Sequence, residues 1–237
     1  MQASERLGYH VTHVGVGSYN GEAVATTTPA DEELSSGAFN NEHLDREPRV
    51  ASCVIDSPER LRSVSVYAPH GRAVDHWHYQ YKLAFFDALT EQLRTCMTED
   101  GRVVVAGDLN VAATDSDVFH PDAFVGSTHV TAPERTALGQ LLDAGLVDVD
   151  VARWGARARR FTWWNHGIGY SRNLGMRLDV IATDRDLARR LDVTWIDHVG
   201  RAGVRPSDHA ALIPDFHHRR PPPGGRVQRA GARQLAS

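Results

Sequence analysis

Chemistry in this sequence gathers at three places. The first is Val103-Val104-Val105-Ala106-Gly107-Asp108-Leu109-Asn110. Its β-branched run reads as a buried strand, which Gly107 ends. Residues two apart on a strand point the same way, so Asp108 and Asn110 would leave the strand end together. A carboxylate beside a carboxamide pairs a proton acceptor with a group that both donates and accepts hydrogen bonds. That pair suits activating a water and holding an oxyanion. The same residues also make an Asx turn capping a core strand, and this stretch alone leaves both readings open.

The second place is Asp179, an acid inside the otherwise apolar Arg177-Leu178-Asp179-Val180-Ile181. Buried acids are rare unless paired, and Arg177 is the nearest candidate partner. The third is Ser207-Asp208-His209, ahead of the apolar Ala210-Ala211-Leu212-Ile213. A carboxylate buried near a histidine fixes its tautomer and keeps it cationic. Asp208 beside it is free to face a hard cation such as Mg²⁺, which takes oxygen ligands and keeps waters. Taken alone, Ser-Asp-His is equally a capped turn.

Strands and helices must bring these places together. Tyr9 to Val16 and Glu22 to Thr28 read as two strands around a Gly/Asn turn. Residues 4–7 followed by Gly8 look like a helix end with no useful length of helix before it. Residues 29–48 read as a long loop. Arg49 to Ile55 and Arg62 to Tyr67 are strand candidates. Leu83, Phe86, Leu89, Leu93 and Met97 recur at helical spacing, which predicts an amphipathic helix from His78 to Met97. Thr131-Ala132-Pro133-Glu134 is a capping box with Pro just inside a second helix, which Gly145 ends. Residues 112–130 and the arginine-rich 150–160 read as loops. Further strands are expected at Phe161 to Trp164, Met176 to Thr183, Val193 to Ile196 and Ala211 to Ile213, with a short helix from Asp184 to Leu191. Strands outnumber helices and several are apolar on both sides. Two sheets packed face to face with helices outside would bury them.

The 237 residues fit one domain or at most two, and 41% hydrophobic content is enough for a large core. The net charge of −4 is uneven. From Phe216 onward there are five arginines and no acid, which leaves 21 basic against 30 acidic residues before it. An acidic body is compatible with metal binding and does not exclude DNA, for which a local basic groove suffices. The residues from 216, rich in Pro, Gly and Arg, read as a disordered basic tail behind a domain of residues 1–215. Two cysteines suggest neither a disulfide framework nor a zinc site. No apolar run approaches the ~20 residues of a membrane span, and no signal peptide is evident. A soluble cytoplasmic protein with no membrane partner is expected.

Three ordered motifs also carry a resemblance. They are Gly107-Asp108-Leu109-Asn110 after its Val-rich strand, Met176-Arg177-Leu178-Asp179-Val180-Ile181, and Ser207-Asp208-His209-Ala210. Tyr67-Ala68-Pro69-His70-Gly71-Arg72, His78-Tyr79-Gln80-Tyr81-Lys82-Leu83 and Arg160-Phe161-Thr162-Trp163-Trp164 narrow it. From about Gly8 to Pro214 the chain resembles the exodeoxyribonuclease III and apurinic/apyrimidinic (AP) endonuclease family. That family lies within the endonuclease/exonuclease/phosphatase superfamily.

The resemblance implies an α/β, four-layer αββα sandwich of two packed mixed sheets with helices outside. It also implies roles. Asp108 would orient or deprotonate the attacking water, and Asn110 would hold the phosphate. His209 would bind the scissile phosphate, Asp179 would orient His209, and Tyr67 would donate to the phosphate. Asp208, with Asp108 and Asn110, would hold Mg²⁺ or Mn²⁺. Trp163 and Met176 would pack against an abasic sugar, with Arg72 and Arg177 also binding substrate. The implied partner is double-stranded DNA with abasic sites or 3′ ends, cut by a monomer.

There are departures. The family begins with a strand ending in a Ser-Phe-Asn-type motif, a helix, and a strand ending in Gln-Glu-Thr that supplies the main metal ligand. Neither segment is present here, and Glu5 and Glu22 stand in the wrong context to replace it. The resemblance therefore implies an N-terminally truncated member lacking the first strands. His70 stands where close relatives usually have Asn. Two other readings stay open: a catalytically impaired remnant, and a superfamily phosphodiesterase or phosphatase with another substrate.

Overall fold

The computed structural model describes residues 2–16, 20–34, 38–56, 59–202 and 205–217. In chain order its elements begin with α1 (Gln2–Arg6), β1 (His10–Gly15), β2 (Gly21–Thr26), β3 (Glu32–Leu34), β4 (Val50–Ile55) and β5 (Leu61–Tyr67). Then come α2 (Trp77–Asp100), β6 (Val103–Asp108), α3 (Ala132–Asp143), β7 (Leu146–Asp148) and α4 (Val149–Trp154). The last are β8 (Trp163–Trp164), β9 (Gly175–Met176), β10 (Asp179–Asp184), α5 (Arg185–Ala188), β11 (Leu191–Asp197) and β12 (Ala211–Phe216).

A six-stranded mixed sheet in the order β3-β4-β5-β6-β10-β7 organises the molecule. β5 and β6 run parallel, joined by the crossover helix α2, and the other neighbours are antiparallel. Alternation along these strands sorts the two faces. Val64, Val66, Val103, Val105, Val180 and Ala182 point to one face, where Phe85, Phe86, Leu89 and Leu93 of α2 and Leu138 and Leu141 of α3 complete the main core. Most of these side chains are fully buried, each removing roughly 1.5–3 kcal/mol of apolar exposure.

Ser65, Tyr67, Ala106, Asp108, Asp179 and Ile181 alternate to the opposite face. Their second layer consists of two-stranded pairs: β1 with β2, β8 with β9, and β11 with β12. Glu22 of β2 is tied to the Ser65 hydroxyl of β5, which fixes the first pair on this face. The sheet thus has helices behind it and chemistry-bearing residues in front.

α3 starts as its capping box requires. The Thr131 hydroxyl accepts from the Glu134 N–H, and the Glu134 carboxylate accepts from the Thr131 N–H. The segment expected as a loop from 150 to 160 begins instead with α4, capped by Asp148 Oδ1, which accepts from the N–H groups of Asp150 and Val151. The long loop expected over 29–48 contains the edge strand β3. Positions 216 and 217, expected to belong to a disordered tail, are paired instead. Phe216 pairs with Leu191, and the His217 N–H donates to the Arg190 carbonyl at 2.8 Å. Residues 218–237 lie outside the described residues. No described helix is long and apolar enough to cross a membrane.

Candidate active site

Three adjacent strands carry the central side chains. Tyr67 on β5 is the register partner of Asp108 on β6, and Asp108 is the partner of Asp179 on β10. All three stand side by side at one end of the sheet. Gly107 permits this approach: its φ is 148°, and a Cβ there would run into the backbone of Val66.

After Asp108 the chain turns sharply. The Asn110 N–H donates to Asp108 Oδ1 at 2.8 Å, and Asn110 Nδ2 donates to Asp108 Oδ2 and to the Ala68 carbonyl, both at 3.0 Å. Asn110 has φ 54°, a left-handed conformation that Asn tolerates better than most residues. The Asx turn and the chemical pair, open alternatives in the sequence, coexist here.

His209 arrives from the other end of the chain. Its Nδ1 lies 2.8 Å from Asp179 Oδ2, and its Nε2 lies 3.9 Å from Asp108 Oδ2. An isolated bridge between Trp163 and His209 holds that backbone against β8. Burial works against the imidazolium. The Asp179 hydrogen bond and charge, with Asp108 and Asp208, outweigh it and raise the His209 pKa to about 9. Nδ1 therefore donates to Asp179 and Nε2–H faces the cavity. Burial, with repulsion from Asp179, pushes Asp108 up to about 7, against the pull of His209, the Asn110 N–H and Lys82. Burial and the Asp108 charge raise Tyr67, so its phenol stays protonated and can donate.

These groups open onto a cavity of about 350 Å³ lined by Tyr67, Asp108, Asn110, Trp163, Met176, Asp208 and His209. Asp208 Oδ2 accepts from Trp163 Nε1 at 3.0 Å. Met176 is 2% exposed and packs with Val118 and Leu178 beside the Trp163 ring. Arg72 lies exposed on the loop after β5.

Arg177 requires a correction. Expected at the substrate, it is buried, with Nε donating to Asp117 Oδ1 and a terminal nitrogen donating to Asp148 Oδ2, both at 2.7 Å. A guanidinium shared by two buried carboxylates is a structural staple and is not available to DNA. Asp179 accordingly pairs with His209, not with Arg177.

Two histidines of the cavity wall, His70 and His129, escaped the sequence reading as site residues, as did the apolar Phe124 and Leu178. His70 Nδ1 accepts from the Arg72 N–H at 3.0 Å, and His129 Nδ1 lies 2.6 Å from the Asn110 carbonyl. The Nε2 atoms are 3.2 Å apart, so the tautomers form one chain, His70 Nε2–H donating to His129 Nε2. Burial and the Lys82 charge lower His129 to about 4, and the ring is neutral. A histidine in a polar loop gives no periodic signal, so His129 could not have been found from sequence alone.

The oxygen donors facing the cavity suit a hard divalent cation that keeps waters: Asp108, Asp208 and the Asn110 side chain. Among the described residues no group of three or more His, Cys, Asp or Glu is placed to hold a metal ion by itself. An open, water-rich site is what this donor set fits.

Residues 4–209 match the model of the endonuclease/exonuclease/phosphatase family. The chain belongs to that family. Relatives there include exodeoxyribonucleases and AP endonucleases. Exodeoxyribonuclease III of Haemophilus influenzae is 26% identical over 224 residues, covering 91% of this chain and 83% of that protein. A 3′ phosphatase from Neisseria, solved with a product DNA hairpin, superposes with a TM-score of 0.84 at 31% identity, covering 91% of this chain and 82% of the other. An AP endonuclease from Archaeoglobus fulgidus gives 0.83 at 28% identity, over 91% and 82% of the two chains.

Proposed function

We propose that this chain is a divalent-metal-dependent DNA repair phosphodiesterase of exodeoxyribonuclease III type. It hydrolyses the phosphodiester 5′ of abasic sites and trims 3′ ends. The observation that carries the reading is the Asp179–His209 hydrogen bond set beside Asp108 in a cavity walled by Trp163 and Met176. An ionised Asp108 accepts the proton of the attacking water. The Nε2–H of the His209 imidazolium donates to a non-bridging phosphate oxygen, where negative charge grows. Asp179 holds that ring in the donating orientation. Tyr67 is a further donor to the phosphate, while Asn110, whose Nδ2 hydrogens are both engaged by Asp108 and the Ala68 carbonyl, holds the Asp108 carboxylate in place. Trp163 and Met176 offer an apolar wall to a sugar that has lost its base, for which leaving the stack is cheap. Mg²⁺ or Mn²⁺ at Asp208, Asp108 and Asn110 would neutralise phosphate charge.

The test uses purified chain, Mg²⁺ or Mn²⁺, and end-labelled duplexes carrying a recessed 3′ end, an internal abasic analogue, or a 3′ phosphate. The last is included because the Neisseria relative is named a 3′ phosphatase. Shortening of the 3′ strand and a cut 5′ of the abasic position are expected. Both should be lost with chelator and with Asp108→Asn. No cleavage of any of the three DNAs would overturn the reading.

A further inference from the structure

Lys82 takes no part in the chemistry above, yet its side chain is fully buried, as is that of Glu134. Lys82 Nζ of α2 donates to Glu134 Oε1 at 2.5 Å and to the Asn110 carbonyl at 2.7 Å. Glu134 Oε1 also accepts from the Thr128 hydroxyl at 2.6 Å and the His129 N–H at 2.9 Å. His129 Nδ1–H completes the circuit on the same Asn110 carbonyl. One backbone oxygen thus receives two donors, and it belongs to the residue with left-handed φ whose amide bonds Asp108.

Stability does not explain such a pair. Desolvating two charges costs several kcal/mol per ion, and apolar residues of similar volume often replace a buried pair without loss. Left-handed backbone in a residue other than glycine persists where its surroundings over-determine it.

We propose that Lys82 and Glu134 are positioning residues for the Asp108–Asn110 turn, clamping the Asn110 carbonyl so that its backbone and side-chain N–H groups stay on the Asp108 carboxylate. This rests on the hydrolytic reading of the site. The double variant Lys82→Met/Glu134→Gln removes both charges and strands neither. The single acceptor oxygen of Gln cannot serve both the His129 and the Thr131 N–H, so the melting temperature of the variant should fall modestly, and its kcat is read per folded molecule. Its kcat on a 3′-recessed duplex should fall about tenfold or more with KM nearly unchanged, the scale of a misplaced catalytic group. The Asn110 backbone amide should shift in the NMR spectrum and lose protection from hydrogen exchange.

Should the double variant not fold, Thr128→Val removes one donor to Glu134, leaves Lys82 paired, and should move the same Asn110 resonance by less. Parental Asn110 signals and parental kcat overturn the proposal. So does a loss of kcat that only follows a loss of folded protein. If the parent chain cleaves none of the DNAs, the hydrolytic reading fails, and the Asn110 signature alone decides the positioning claim.

Discussion

His209 Nδ1 stands 2.8 Å from Asp179 Oδ2, and Asp179 is itself the cross-strand neighbour of Asp108. The orienting acid and the proposed base are therefore held at a fixed spacing by backbone pairing, independent of any loop. Asp179→Asn keeps the shape and removes the charge that holds His209 protonated. A loss of kcat of about 10²-fold is expected, the lower end for a general acid–base partner. The imidazolium is present below its pKa and lost above it, which for the parent is about 9. The alkaline limb of the kcat–pH profile should therefore move to lower pH in the variant. A parental profile would refute the role of Asp179.

Trp163→Phe keeps the aromatic wall but deletes the Nε1–H that Asp208 accepts. An outer hydrogen bond of this kind orients a ligand carboxylate, and its loss costs about tenfold or more in metal affinity. The Mg²⁺ concentration for half-maximal cleavage should rise by about that factor, with the rate at saturating Mg²⁺ largely restored. An unchanged Mg²⁺ titration would remove Asp208 from the metal site.

Arg177→Met should act on folding and not on chemistry. It leaves Asp117 and Asp148 buried without their cation. Stranding buried charge costs about 3–5 kcal/mol. Urea unfolding should show that loss, while kcat per folded molecule stays parental. A raised KM for DNA with parental stability would restore Arg177 to the substrate.

Glu22 gives a pH-dependent stability. Burial raises its pKa above the usual carboxylate range, partly offset by the Ser65 hydrogen bond and the Arg49 charge. A pKa higher in the folded than in the unfolded state favours folding below the unfolded value, and that advantage is lost as pH rises through the folded one. Glu22→Gln keeps a partner for Ser65 and never ionises. It should stabilise the protein at pH 8 and do so less at pH 5, measured by urea unfolding. A variant less stable than the parent at pH 8 would contradict this.

The grouping of the candidate site residues was legible in the sequence because they sit at the ends of strong strands. Asp108, Asn110 and Asp208–His209 each follow or precede an apolar run, and period-two alternation fixes which way such side chains point. Asp179 was legible as an anomaly, an acid where the pattern demands an apolar residue. Its partner was harder, because Arg177 is two residues away in sequence while His209 is 30. Arg177 was misread for the same reason. It lies among site residues in the chain, but its partners Asp117 and Asp148 stand 60 and 29 residues off. β7 and β3 are three residues each, too short for periodicity to register. The acids of β3 are balanced only in the fold, where Glu32 meets Arg60 and Arg62. The capping box of α3 was read correctly as a helix start, yet Glu134's second partnership with Lys82, 52 residues away, leaves no trace in local pattern.

The parallel pairing of β5 with β6 spans all of α2, and His209 follows all six strands of the large sheet in the chain. The site is therefore a property of the whole chain: Tyr67 and Asp108 stand on neighbouring strands, but the imidazole comes from the far side of the sequence, so no shorter stretch holds the full set of groups.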